Sequence, residues 1–135
     1  MKKSTILSFV ILAFVITSCS KKPSELIVGE WKVTDFSMSQ NVDPETKKAQ
    51  KESFEEMKAS SSIIYKENGT YTYIITQDTS IGKWVLSPDA KSLTLTYPNG
   101  EQETSNIVEL TNEKLVTSTK IFESETTITF AKQKK

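Results

Sequence analysis

Few residues in this 135-residue chain can do covalent chemistry, and the missing types narrow the field first. There is no His and no Arg, and Cys19 is the single cysteine. Without an imidazole no Ser-His-Asp or Cys-His nucleophile can be assembled, and a His- or Cys-ligated zinc site lacks its ligands. Bidentate guanidinium clamps on phosphate or carboxylate are excluded as well. Carboxylates remain, but Glu55 and Glu56 are neighbours that a helix would point roughly 100° apart, a poor acid–base pair. No Asp-x-Asp-x-Asp-Gly spacing occurs, so neither a metal nor a cofactor is expected, and enzymatic activity ranks last among the functions considered. What is left is one thiol suited to attachment and a set of aromatic and aliphatic residues suited to binding: Trp31, Tyr71, Tyr73, Trp84, Leu93, Leu95 and Tyr97.

The thiol sits at an informative place. Met1-Lys2-Lys3 is a short basic start, and residues 6–16 form an apolar run broken only by Ser8. A spanning helix needs about 20 apolar residues, so this run reads as the hydrophobic region of a signal peptide. Ile16-Thr17-Ser18-Cys19 then resembles the lipobox of bacterial lipoproteins, an aliphatic residue and two small ones before Cys. That resemblance implies a diacylglyceryl thioether on Cys19, cleavage after Ser18, and acylation of the new amino group by a chain such as palmitate. Each buried CH₂ is worth about 0.8 kcal/mol, and two chains already anchor a protein stably. Ser20 is not the Asp that resembles an inner-membrane retention signal, so the expected address is the outer membrane, with the domain facing the periplasm or the cell surface. Residues 20–24 read as a tether reaching at most about 17 Å. A single cysteine leaves no intramolecular disulfide.

The elements that position the aromatic set follow. Residues 1–18 are the leader, 19–25 the lipidated start and tether, and 26–135 one domain of ordinary size with a single core. The precursor carries 17 lysines and 17 acids; removal of Lys2 and Lys3 with the leader leaves a slightly acidic remainder, which argues against a nucleic-acid partner. A first strand is expected over residues 27–36, with Trp31 and Val33 on one face and Lys32, Thr34 and Phe36 on the other. Asp43-Pro44-Glu45 starts a helix to about Ala59, with a thin apolar stripe of Ala49, Phe54 and Met57. From Ser61 the period becomes two, and seven strands are expected over 62–66, 70–76, 80–86, 92–97, 103–110, 114–122 and 126–131. Asn68-Gly69, Pro88-Asp89, Pro98-Asn99-Gly100 and Asn112-Glu113 supply the turns. Gly-x-Trp occurs twice, at Gly29-Glu30-Trp31 and Gly82-Lys83-Trp84, where glycine allows a close neighbour and the Trp roofs one end of a core.

Val28-Gly29-Glu30-Trp31-Lys32-Val33, Asn68-Gly69-Thr70-Tyr71 and Gly82-Lys83-Trp84-Val85-Leu86 together resemble the lipocalin-like domain of small bacterial lipoproteins. The resemblance implies an all-β fold, an eight-stranded antiparallel up-and-down barrel with an internal pocket, here with one helix between strands one and two. It also implies a cation over the first-strand Trp31. Lacking Arg, the chain must use a lysine, and Lys132 is the best placed in sequence. The expected function is the binding of a small, neutral, partly apolar molecule against Trp31, Tyr71, Tyr73, Trp84, Leu93, Leu95 and Tyr97, although barrel packing needs the same residues. Neutrality follows because that face offers Tyr hydroxyls and the Trp84 indole N–H but no cation for an acid. The alternative is a filled barrel that presents its helix or loops to an envelope protein partner. Substituting Cys19→Ala is expected to release the protein from the outer-membrane fraction or strand it before that membrane. Unchanged attachment on fractionation would contradict the lipobox reading.

Overall fold

Alternating apolar and polar residues, interrupted by tight polar turns, close into a barrel in which every strand pairs antiparallel with the next and the last returns to the first. The computed structural model describes residues 21–39, 41–121 and 124–134. The leader, Cys19 and Ser20 lie outside the described residues. In order come α1 (Pro23–Ile27), β1 (Gly29–Met38), α2 (Pro44–Ser60), β2 (Ser61–Tyr65), β3 (Thr70–Ile75), β4 (Asp78–Leu86), β5 (Ser92–Thr96), β6 (Gln102–Leu110), β7 (Lys114–Ile121) and β8 (Ser124–Lys132). The eight strands and the helix after the first were legible in the sequence, and strand ends move by only one or two residues.

Two sequence expectations are corrected at the N-terminus of the domain. Pro23 and Ser24 are not free linker, and Ile27 is not strand: both ends belong to α1, where Pro23 opens the helix and the Glu25 carboxylate accepts from the Lys22 amide at 3.2 Å. Proline at the first helical position sacrifices no hydrogen bond, which makes so short a helix feasible. Strand β1 then starts at Gly29, whose φ of +139° turns the chain into the sheet.

The third correction concerns Phe36. A β-bulge between Val33 and Asp35 shifts the β1–β8 register, so that Val33 faces Phe130 while Phe36 faces Ile128. Phe130 and Ile128 are two apart on β8 and share a face, so Val33 and Phe36 share one too. The extra residue flips the alternation, as a bulge does. Phe36 therefore points the same way as Trp31, into the barrel side. A second bulge between Ile107 and Glu109 leaves Val108 outside, 65% exposed, and returns Leu110 to the interior opposite Leu115.

The closed end of the barrel is a packed core of Ile27, Trp31, Ile63, Tyr65, Tyr71, Trp84, Leu93 and Leu115. The two Gly-x-Trp glycines each make room for one neighbour. At Gly82 a Cβ would collide with the Thr96 carbonyl and stand 2.6 Å from the Tyr71 ring, and at Gly29 it would stand 2.9 Å from Lys132 Cε. Trp31 is fully buried, its Nε1–H donates to the Ile27 carbonyl at 2.7 Å, and the Lys132 ammonium lies 5.0 Å from its ring centroid. The cation over Trp31 is thus Lys132, as the sequence suggested. Replacing a fully buried Trp by Ala typically costs about 3–5 kcal/mol, against a total of about 5–15 kcal/mol for a domain. Trp31→Ala is expected to lower the denaturation midpoint accordingly, and a midpoint close to wild type would contradict this packing.

Candidate functional site

The two ends of the barrel differ because β1 leaves β2 early. Those strands pair only from Gly29 to Trp31, whereas β1 runs with β8 from Trp31 to Met38. The upper half of β1 therefore lacks a partner on its β2 side, and α2 lies across that gap. Asp43 caps α2 by accepting from the Thr46 hydroxyl and, at 2.9 Å, from the Thr46 amide, which together hold its carboxyl below the usual range. The helix contributes no fully buried residue. Its main anchor is Phe54, stacked on Phe36 with ring centroids 5.0 Å apart, a contact worth about 0.5–1.5 kcal/mol beyond area burial.

Between α2 and β1 lies a cleft of about 430 Å³, within the range that small-molecule sites occupy. Phe36, Met38, Val42 and Phe54 supply its apolar wall, and Asn41 and Gln50 add amide groups. Its charged lining is Asp35 and Glu55 against Lys47 and Lys51, two of each sign. The cleft as a whole therefore selects neither an anion nor a cation.

Behind the cleft the barrel wall is lined with hydroxyls. Met38, which lines the cleft, pairs with Thr126, which pairs in turn with Thr119, whose hydroxyl bonds that of Ser105. Ser124 and Thr126 are each 1% exposed, and their hydroxyls have no partner among the described residues. A buried hydroxyl left without a partner costs about 1–3 kcal/mol. On the far wall Tyr97 donates to Glu103 at 2.8 Å. Burial raises the Tyr65, Tyr71, Tyr73 and Tyr97 hydroxyls above their ordinary value, and Glu103 adds to this at Tyr97, where the hydroxyl bonds its carboxylate. These phenols stay protonated donors at any ordinary pH.

The aromatic set drawn from the sequence divides between the two ends. Trp31, Tyr71, Trp84 and Leu93 are packed in the closed end, and none of the seven residues lines the α2 cleft. Trp84 also spends its indole N–H on the Lys66 carbonyl at 2.9 Å. Tyr73 and Leu95 are half-buried and pack against that core from the open side, and Tyr97 is half-buried with its hydroxyl engaged by Glu103. The cleft residues Phe36, Met38 and Val42 were missed by the sequence reading. Only Phe54, as part of the helix stripe, signalled the site; Phe36 was hidden by a bulge that no alternation pattern reveals. Cys19 lies outside the described residues.

Among the described residues, the cation held against the core is Lys132, and it is committed. Lys132 donates to the Leu26 carbonyl at 2.6 Å while covering Trp31, and burial, with Lys21 nearby, lowers its affinity for the proton. The family model of the lipocalin-like domain matches residues 27–117. The chain belongs to the lipocalin-like domain family. The match ends within β7, and β8 completes the lipocalin-like barrel by pairing with both β7 and β1. No curated protein sequence matches the chain. Among solved structures, a DUF4847 family protein from Bacteroides vulgatus is similar, with a TM-score of 0.58 at 16% identity over 82% of this chain and 96% of that one. Two structures of bovine odorant-binding protein, one with a selenium-containing odorant and one with its natural ligand, align with TM-scores of 0.48 at 16% and 18% identity, covering 86% of this chain and 76% of theirs.

Proposed function

We propose that this lipocalin-like protein is an envelope lipoprotein, anchored in the outer membrane through acylated Cys19, that binds a small, neutral, partly apolar molecule at the open end of its barrel. Binding rather than catalysis fits a family of lipocalin-like barrels and a chain without imidazole. The observation that carries the reading is the division of the barrel: the closed end is filled by its own side chains, while the open end offers a cleft of about 430 Å³ under α2. Apolar contact comes from Phe36, Met38, Val42 and Phe54. Neutral polar contact comes from the Asn41 and Gln50 amides. An anion would find Lys47 and Lys51 of the cleft matched by Asp35 and Glu55, with no net positive charge to offset its desolvation.

A second reading, an interaction module for another envelope protein, is favoured by the outer face of β4, where Ile81 and Val85 are 60% and 63% exposed. The two readings part in a binding experiment on the Cys19→Ala chain without its leader. N-phenyl-1-naphthylamine, neutral and apolar, is expected to bind with a rise in fluorescence, while its sulfonated analogue binds at least about tenfold more weakly, a difference of about 1.4 kcal/mol. Met38→Trp, which fills the cleft, should abolish the signal. Equal binding of the two probes, an unaffected Met38→Trp variant, or retention of a protein alone from envelope extract would contradict the small-molecule reading.

A further inference from the structure

The N-terminal segment is usually treated as a flexible leash, but here its last turn is built into the barrel floor. Helix α1 is held at the closed end by two side chains from opposite ends of the domain sequence. Trp31 donates to the Ile27 carbonyl at 2.7 Å and Lys132 to the Leu26 carbonyl at 2.6 Å. Ile27 itself is fully buried in the core, and Gly29 leaves the space through which the Lys132 side chain reaches these groups. Pro23 is thus fixed relative to the barrel axis. Cys19 precedes it by four residues, a reach of at most about 14 Å even when fully extended.

We infer that this lipoprotein stands on the bilayer with its closed end down and its α2 cleft facing away from the membrane. The inference rests on the lipid attachment at Cys19 proposed above. A strand of eight or nine residues rises about 3.3 Å per residue and is tilted by roughly 40° in a barrel, so the two rims are separated by about 20 Å. A leash of about 14 Å anchored at one rim cannot bring the other rim to the bilayer without laying the barrel on its side. The floor suits contact with headgroups rather than insertion. Its exposed turns carry Lys66 and Lys91 with Glu67 and Asp89, beside Lys21 and Lys22 on the approach to α1. Lysines near an anionic leaflet contribute about 1 kcal/mol each, whereas the acids oppose burial.

The orientation restricts the ligand. With its cleft turned to the aqueous compartment, the protein takes a molecule that arrives through water, not a membrane lipid sliding in from the leaflet below.

The test uses the full mature lipoprotein in vesicles of phosphatidylethanolamine and phosphatidylglycerol. Because Cys19 carries the acyl groups, one added cysteine takes a fluorophore uniquely. Glu67→Cys and Glu113→Cys label the closed-end turns, and Gln77→Cys and Glu101→Cys label the open-end turns; all four residues are exposed. Energy transfer to a headgroup acceptor is expected to place the open-end labels at least about 15 Å farther from the bilayer than the closed-end labels, given the rim separation. Ten Gly-Ser residues inserted between Ser20 and Lys21 should erase most of that difference without touching the fold. Open-end labels as close as closed-end labels would overturn the orientation while leaving the anchoring intact, and a difference that survives the insertion would overturn the short leash as its cause. Failure of the protein to float with vesicles would instead overturn the lipid attachment, and the orientation with it.

Discussion

A buried indole must find an acceptor for its N–H, and in this barrel that requirement organises one whole end of the molecule. Trp31 is fully buried and donates to the Ile27 carbonyl, which forces the chain before β1 to stay in contact with the barrel instead of leaving it. The carbonyl next door, that of Leu26, is satisfied by Lys132 from the end of β8, and the same ammonium covers the indole face. First strand, last strand and α1 are thereby joined at one point. Cation–π contacts of this kind are worth about 0.5–2 kcal/mol, more when desolvated. The geometric effect is larger than the energy suggests, because it closes the floor and brings the start of the domain to it.

The open end obeys a different constraint. The chain must pass from the top of β1 to the top of β2, and it does so through α2, a helix with a sound cap but little apolar surface. Lys48–Glu52 and Lys58–Glu55 pairs on its exposed faces are solvent-screened and contribute little. Its hold on the barrel is the Phe36–Phe54 stack and a few neighbours. The result is a barrel with one half filled by its own aromatic residues and one half roofed by a lightly attached helix that bounds the cleft beside β1.

How much of this was legible in the sequence follows from which signals are local. Strand existence, the Asn68-Gly69 turn and the Asp43-Pro44 helix start are short-range patterns, and each appears where it was expected. The pairing of Trp31 with Lys132 was legible only through a family resemblance combined with the absence of arginine. The bulge after Val33 was not legible, because it depends on how β8 meets β1 rather than on anything in β1 itself; with it went the place of Phe36 and hence the cleft. Aromatic residues on alternating positions were equally compatible with core and with pocket, and burial assigns Trp31, Tyr71, Trp84 and Leu93 to the core. Burial is a property of the closed barrel, which no single strand contains.

A packed closed end and a lightly attached roof over the open end should differ in local stability. Amide hydrogen exchange on the unliganded domain reads this directly, since it reports opening free energies segment by segment. Amides of Trp31, Ile63, Tyr65 and Leu115 are expected to exchange only through global unfolding, while those across α2 exchange at least about 100-fold faster through local opening, a gap of about 2.7 kcal/mol. Exchange of α2 in step with the closed end would show one cooperative unit from floor to roof, and would contradict the division on which the binding site rests.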